Sequence, residues 1–142
     1  MINLMPYESS IIIRILFAFL LGLLLGIQRE KRKTVEHNYG IAGMRTHTIV
    51  AIGAALVTAI GAIVNLTNPH FLAASILTGI GFIGAGTIIA SNGKIRGLVN
   101  ASTVWVAAAI GISCGFGYFV SAILTTLIVI IILELRRFEK ID

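Results

Sequence analysis

Acidic side chains are few in this chain and badly placed for chemistry. Only six occur in 142 residues, and Glu8, Glu30, Glu36, Glu134, Glu139 and Asp142 all lie at or beyond the ends of long apolar runs. A hard cation such as magnesium takes oxygen ligands that usually include carboxylates. No intramembrane metal cage can therefore be built from these side chains, and no metal is expected. The histidines His37, His47 and His70 are dispersed, and no nucleophile–base–acid set can be assembled around them. The chain reads as non-catalytic and without a cofactor. A single cysteine, Cys114, excludes an intrachain disulfide and a CxxC metal site. It lies in an apolar stretch and reads as a small packing residue. Charge is scarce as well, at 12% of residues. The net charge of +5 and a pI near 9.9 do not make a nucleic-acid binder, because there is no basic helix and no stacking platform of aromatics.

What is abundant is apolar sequence, at 57% of residues with a mean hydropathy of +0.98. A soluble domain of this size carries about 25% charge to cover its surface. Here the apolar residues come in five long runs, about 11–27, 47–66, 71–91, 98–114 and 118–135. A membrane-spanning helix needs about 20 residues, and all five runs qualify. The first run has no basic segment before it, carries Arg14 within it and is followed by QREKRK, so it is no cleavable signal. The fold expected is all-α: one polytopic transmembrane bundle of about five helices over residues 1–142.

The loops set the orientation. Arg29, Lys31, Arg32, Lys33 and Arg45 lie between runs one and two, Lys94 and Arg96 between three and four, and Arg136, Arg137 and Lys140 in the tail. The alternate connections carry no Lys or Arg, so ten of the eleven basic residues fall on one side. The positive-inside rule then places the N-terminus outside and the C-terminus in the cytoplasm. Arg14 is the one deep charge, about a turn inside the outer end, where it could snorkel outward.

The third run, TGIGFIGAGTIIA, holds the densest glycine pattern. Gly79, Gly81 and Gly84 spell GxGxxG, but a dinucleotide fingerprint needs a preceding strand and a later acidic residue, and neither is present. With Gly86 they read as packing devices, since small residues let transmembrane backbones approach closely. Two small-residue faces predict that this helix sits at the centre of the bundle. Thr103, Ala107 and Gly111 add a four-residue spacing on the fourth helix. The surplus of such faces predicts self-association as a homodimer.

The predicted topology brings Glu30, Arg45, Thr46, His47, Asn92, Lys94, Arg96 and Asn100 to the cytoplasmic rim, where helices two and four begin. Two expectations compete there. Arg45 and Arg96 beside two helix N-termini would suit a phosphate, above all an anionic lipid headgroup. Alternatively, Arg45 pairs with Glu30 and fixes the first hairpin.

The stretches GIQRE (Gly26–Glu30), AGMRTHTIVAIGAAL (Ala42–Leu56), GIGFIGAGTII (Gly79–Ile89) and IRGLVNASTVWVAAAIG (Ile95–Gly111) stand in this order. In motif order and spacing the chain resembles the MgtC/SapB family of bacterial inner-membrane proteins. Arg14, Glu30, Arg45, Thr46, His47, Arg96 and Trp105 fall on family motif positions. The chain departs from the family pattern at Asn68-Pro69 and Phe71, at Ser75, and at Val99-Asn100. The resemblance implies a small multi-pass inner-membrane bundle linked to low-magnesium adaptation and, in pathogens, to survival inside host cells. It implies a regulator of membrane energetics or of partner membrane proteins. Many members carry a soluble C-terminal domain, and a short SapB-like form without one is expected here, beside the alternative of a membrane domain separated from a longer chain. The competing function is a magnesium or other cation transporter or channel. Its polar path would use backbone carbonyls near Gly79–Gly86 with Ser75, Thr78 and Asn100.

Overall fold

The computed structural model describes residues 5–31, 42–64, 68–91 and 94–135. Expectations placed on residues 32–41, on Asn92 and on the basic tail lie outside the described residues. Five helices form: α1 (Met5–Glu30), α2 (Met44–Ile63), α3 (Pro69–Gly86), α4 (Leu98–Phe116) and α5 (Phe119–Leu135). The all-helical bundle expected from the five apolar runs is what the chain adopts. Residues 8–30, 44–63 and 98–116 are long and apolar enough to cross a membrane, whereas α3 and α5 are shorter apolar helices.

Successive helices alternate in direction. Gln28 reaches Glu134, and His47 reaches Thr103, at one end. Arg14 reaches Gly115, and Phe17 stacks on Phe119 with ring centroids 4.5 Å apart, at the other. The first is the polar end of the bundle. Large apolar side chains face outward all round, with Phe82 85%, Val120 72% and Phe71 70% exposed. Such a surface would be an aggregation liability in water, and it suits lipid.

The core is a seam of small residues where α2 meets α4 and α1. Ala51, Ala55, Ala107 and Ala18 are fully buried in it together with Leu25. The glycines that allow this approach are Gly22, Gly26, Gly111 and Gly115. A methyl group on Gly22 would sit 2.8 Å from the Ala51 Cβ, and one on Gly26 would sit 2.6 Å from the Met44 Cα. On Gly115 it would lie 2.6 Å from the Thr58 Cβ and 2.7 Å from the Ala55 carbonyl oxygen, and on Gly111 it would overlap the Ala51 carbonyl. Without a hydrophobic drive between helices in lipid, this contact is the cohesive force of the bundle.

Two expectations about α3 are corrected. It does not sit at the centre: it packs on one side, chiefly against α4, and a methyl group on Gly79, Gly81 or Gly86 would meet nothing within 4 Å. Only Gly84 is buried, 3.6 Å from the Ala101 carbonyl oxygen by the same measure. The reason is rotational. Spacing tells which residues share a face, but packing decides which face turns inward. Nor does the helix run to residue 91. It ends at Gly86, where the Thr87 hydroxyl donates to the Gly84 carbonyl at 2.7 Å. The chain then forms a short antiparallel hairpin of β1 (Ile89–Ser91) and β2 (Lys94–Arg96), pairing Ile89 with Arg96. Gly97, at φ +90°, turns the hairpin into α4, and a side chain there would strike the Thr87 carbonyl.

Candidate functional site

The start of α2 is the focus of the polar end. Gly43 is extended, and its carbonyl accepts from the His47 backbone amide at 3.2 Å. The first amides of a helix have no partner within it. One of them, on Met44, donates to the Glu30 Oε2 at 3.0 Å, so a carboxylate from the end of α1 caps α2. An acidic group is favourable there because the helix dipole is positive at that end. Gly26 makes the cap geometrically available by letting α1 lie against the Met44 backbone. The hairpin is thus closed one residue before Arg45, which is itself exposed.

One turn further on, His47 is fully buried. Its Nδ1 lies 2.8 Å from the Gly43 carbonyl and its Nε2 lies 3.0 Å from the Thr103 Oγ1, across the seam on α4. A carbonyl only accepts, so Nδ1 carries a proton. The Thr103 hydroxyl also lies 2.9 Å from the Asn100 carbonyl. In the neutral ring, that hydroxyl donates to Nε2. In the charged ring, Nε2 donates to the hydroxyl, which turns its own proton to Asn100. Both protonation states are hydrogen-bonded at each nitrogen. Asn100 is 3% exposed beside this chain of bonds.

A second polar group lies between α1 and α5. Gln28 is buried, and its amide nitrogen donates to the Glu134 Oε1 at 3.0 Å, while its own carbonyl oxygen has no hydrogen-bond partner among the described residues. Arg29 is also buried. Sequence reasoning missed Gln28 and Glu134, because nothing in the spacing shows which helices meet. It treated Arg29 only as a topology charge.

The sequence-derived candidates therefore divide. Glu30, His47, Asn100 and Thr103 come together, with Thr46 half-buried beside them. Arg45 and Arg96 are exposed, and Trp105 is 45% exposed, two positions past Thr103 and so on the opposite face of α4. Ala107 and Gly111 continue the seam above Thr103. Arg14 is at the other end, where it does more than snorkel: its Nη1 donates to the Gly115 carbonyl at 2.6 Å and so caps α4. Among the described residues, no three of His, Cys, Asp and Glu gather as a metal site would require.

A family model described as the MgtC family matches residues 15–140. Protein MgtC of Salmonella typhimurium (strain LT2) is 40% identical over 119 residues, covering 84% of this chain and 49% of that protein. Protein MgtC of Brucella abortus (strain 2308) is 40% identical over 121 residues, covering 84% and 48% respectively. An uncharacterized protein of Synechocystis is 39% identical over 128 residues, covering 89% and 52%. The chain spans about half the length of these curated relatives. No solved structure matches it.

Proposed function

The chain belongs to the MgtC family, and from that membership and its closed seam we propose that it is a non-catalytic regulator of the bacterial inner membrane. It acts through the polar end of its bundle on a partner membrane protein or on membrane energetics, in adaptation to low magnesium. The polar end faces the cytoplasm in this reading, and the chain is multi-pass.

The observation that carries the proposal is the closure of the α2–α4 contact. Gly111 and Gly115 lie against the backbone of Ala51 and Ala55, which leaves no room for a hydrated ion between those helices. The hydroxyls that a transport path would need are committed elsewhere: Ser75 donates to the Phe71 carbonyl and Thr78 to the Ala74 carbonyl, each at 2.9 Å, on the exposed side of α3. The buried groups Gln28, Arg29, His47, Asn100 and Thr103 collect at one end instead, beside the exposed Glu30 that a partner could reach.

Crosslinking in native membranes followed by purification is the test. A defined partner protein should be recovered with the wild-type chain and lost with Glu30→Ala, which uncaps α2. Recovery of lipid and self alone would sink the proposal.

A second copy of the chain is the proposed occupant of the open face of α3, where Gly79 and Gly86 lie bare beside Phe82. Gly79→Leu should leave the fold intact and convert dimers to monomers in lipid nanodiscs. A wild-type chain that is already monomeric there rules the dimer out.

A further inference from the structure

The end remote from the polar seam holds an open cleft of about 510 Å³ between the first turns of α1 and the α4–α5 turn. Its polar lining is Ser9, Ser10 and Arg14, and its apolar lining includes Ile13, Phe116 and Phe119. The frame is fixed: Phe17 on Phe119 ties the start of α5 to α1, and Arg14 on the Gly115 carbonyl ties α1 to the end of α4.

Among the described residues, Arg14 is the only charged side chain lining the cleft. One nitrogen, Nη1, is committed to Gly115. The other, Nη2, borders Gly117, which also lines the cleft; a methyl group on Gly117 would lie 3.8 Å from it. The guanidinium therefore presents further donors to the cleft while its observed partner is a neutral carbonyl. No carboxylate among the described lining residues balances its charge. A charge held within an apolar helix marks a functional position whose partner should be sought. A guanidinium with an adjacent hydroxyl matches a phosphate, which it can bind through two parallel N–H bonds. Beside that polar patch, Ile13 and the two phenylalanines offer an apolar wall, which a free ion would not use but an acyl chain would.

We infer that this cleft binds a phosphate group through Arg14 and the Ser10 hydroxyl, as the headgroup of an anionic phospholipid whose chain lies on Ile13, Phe116 and Phe119. The site is distinct from the rim position at Arg45 and Arg96, and it does not depend on the regulatory reading of the polar end.

Native mass spectrometry of the full chain released from detergent micelles tests this. Three additives are compared: phosphatidylglycerol, diacylglycerol with the same chains, and inorganic phosphate. Two variants probe the cleft. Arg14→Gln removes the charge and keeps a donor for Gly115. Ile13→Trp fills the cleft from a half-exposed position and leaves Arg14 in place. Loss of a charge-assisted hydrogen bond is expected to lower phosphatidylglycerol retention by about tenfold or more in Arg14→Gln. Ile13→Trp should lower it similarly, and the phosphate-free diacylglycerol should be retained poorly by the wild type. If inorganic phosphate alone is retained, and is lost in both variants, the phosphate site stands and its ligand is the free ion. Equal retention of phosphatidylglycerol by wild type and Ile13→Trp overturns the proposal, even where Arg14→Gln fails to fold. So does a loss caused only by Arg45→Gln at the other end.

Discussion

Gly111→Ala should destabilise the bundle by about 3 kcal/mol or more, although it adds one methyl group to an apolar chain. Overpacking in a close-packed interior costs about 1–3 kcal/mol when neighbouring side chains can yield. Here the obstacle is backbone: the new methyl would overlap the Ala51 carbonyl and lie 2.9 Å from the Ala54 Cβ. Relief requires α2 and α4 to separate, which exposes the His47–Thr103 bond and the apolar contacts above it. In lipid no hydrophobic gain compensates a wider helix pair. The contrast is Gly79→Ala, where nothing lies within 4 Å. That change should be neutral within about 0.5 kcal/mol, or slightly stabilising through helix propensity. Unfolding in mixed micelles, followed by helical content, measures both. Equal effects of the two substitutions would mean that the seam is not where α2 and α4 meet.

His47→Leu should cost about 1–3 kcal/mol through the loss of two buried hydrogen bonds. The Gly43 carbonyl keeps the His47 backbone amide, and the Thr103 hydroxyl keeps the Asn100 carbonyl, so neither is stranded entirely. That is why the loss stays below that at Gly111. Thr103→Val in the His47→Leu background should cost less than Thr103→Val alone, because its partner is already gone. The coupling in the double-mutant cycle is expected at about 0.5 kcal/mol or more. Strict additivity would contradict a direct bond across the seam.

These two sites also mark how far the sequence could be read. Apolar runs separated by polar or glycine turns were sufficient to count the helices, since an apolar segment of that length has few alternatives in lipid. Gly111 stood out by its four-residue spacing with Ala107 and Thr103. Gly22 and Gly26 have the same spacing on α1 but a sparser pattern than the glycines of α3. Density is a property of the sequence, whereas facing a neighbour is a property of helix rotation, which long-range packing sets. The hairpin was legible in principle: Asn92-Gly93 between short β-prone segments is a hairpin signature. It was masked by apolar residues that extend the α3 run to Ala90. Topology grouped His47 and Asn100 at one end of the bundle, and the structure joins them there. Their link through Thr103 was not readable, because it depends on α2 and α4 running parallel at close range. Glu30 was expected at the rim, as a functional acid or as the partner of Arg45; the Met44 backbone amide that donates to it carries no sequence signal at all.

The proposal that the protein regulates and does not conduct rests on the closure of the α2–α4 seam at Gly111 and Gly115. Magnesium uptake into proteoliposomes loaded with a magnesium-sensitive dye tests it most directly. The expected result is a signal no greater than that of protein-free vesicles, across an imposed gradient and in both orientations of the chain. Protein-dependent uptake that saturates with magnesium would contradict the claim.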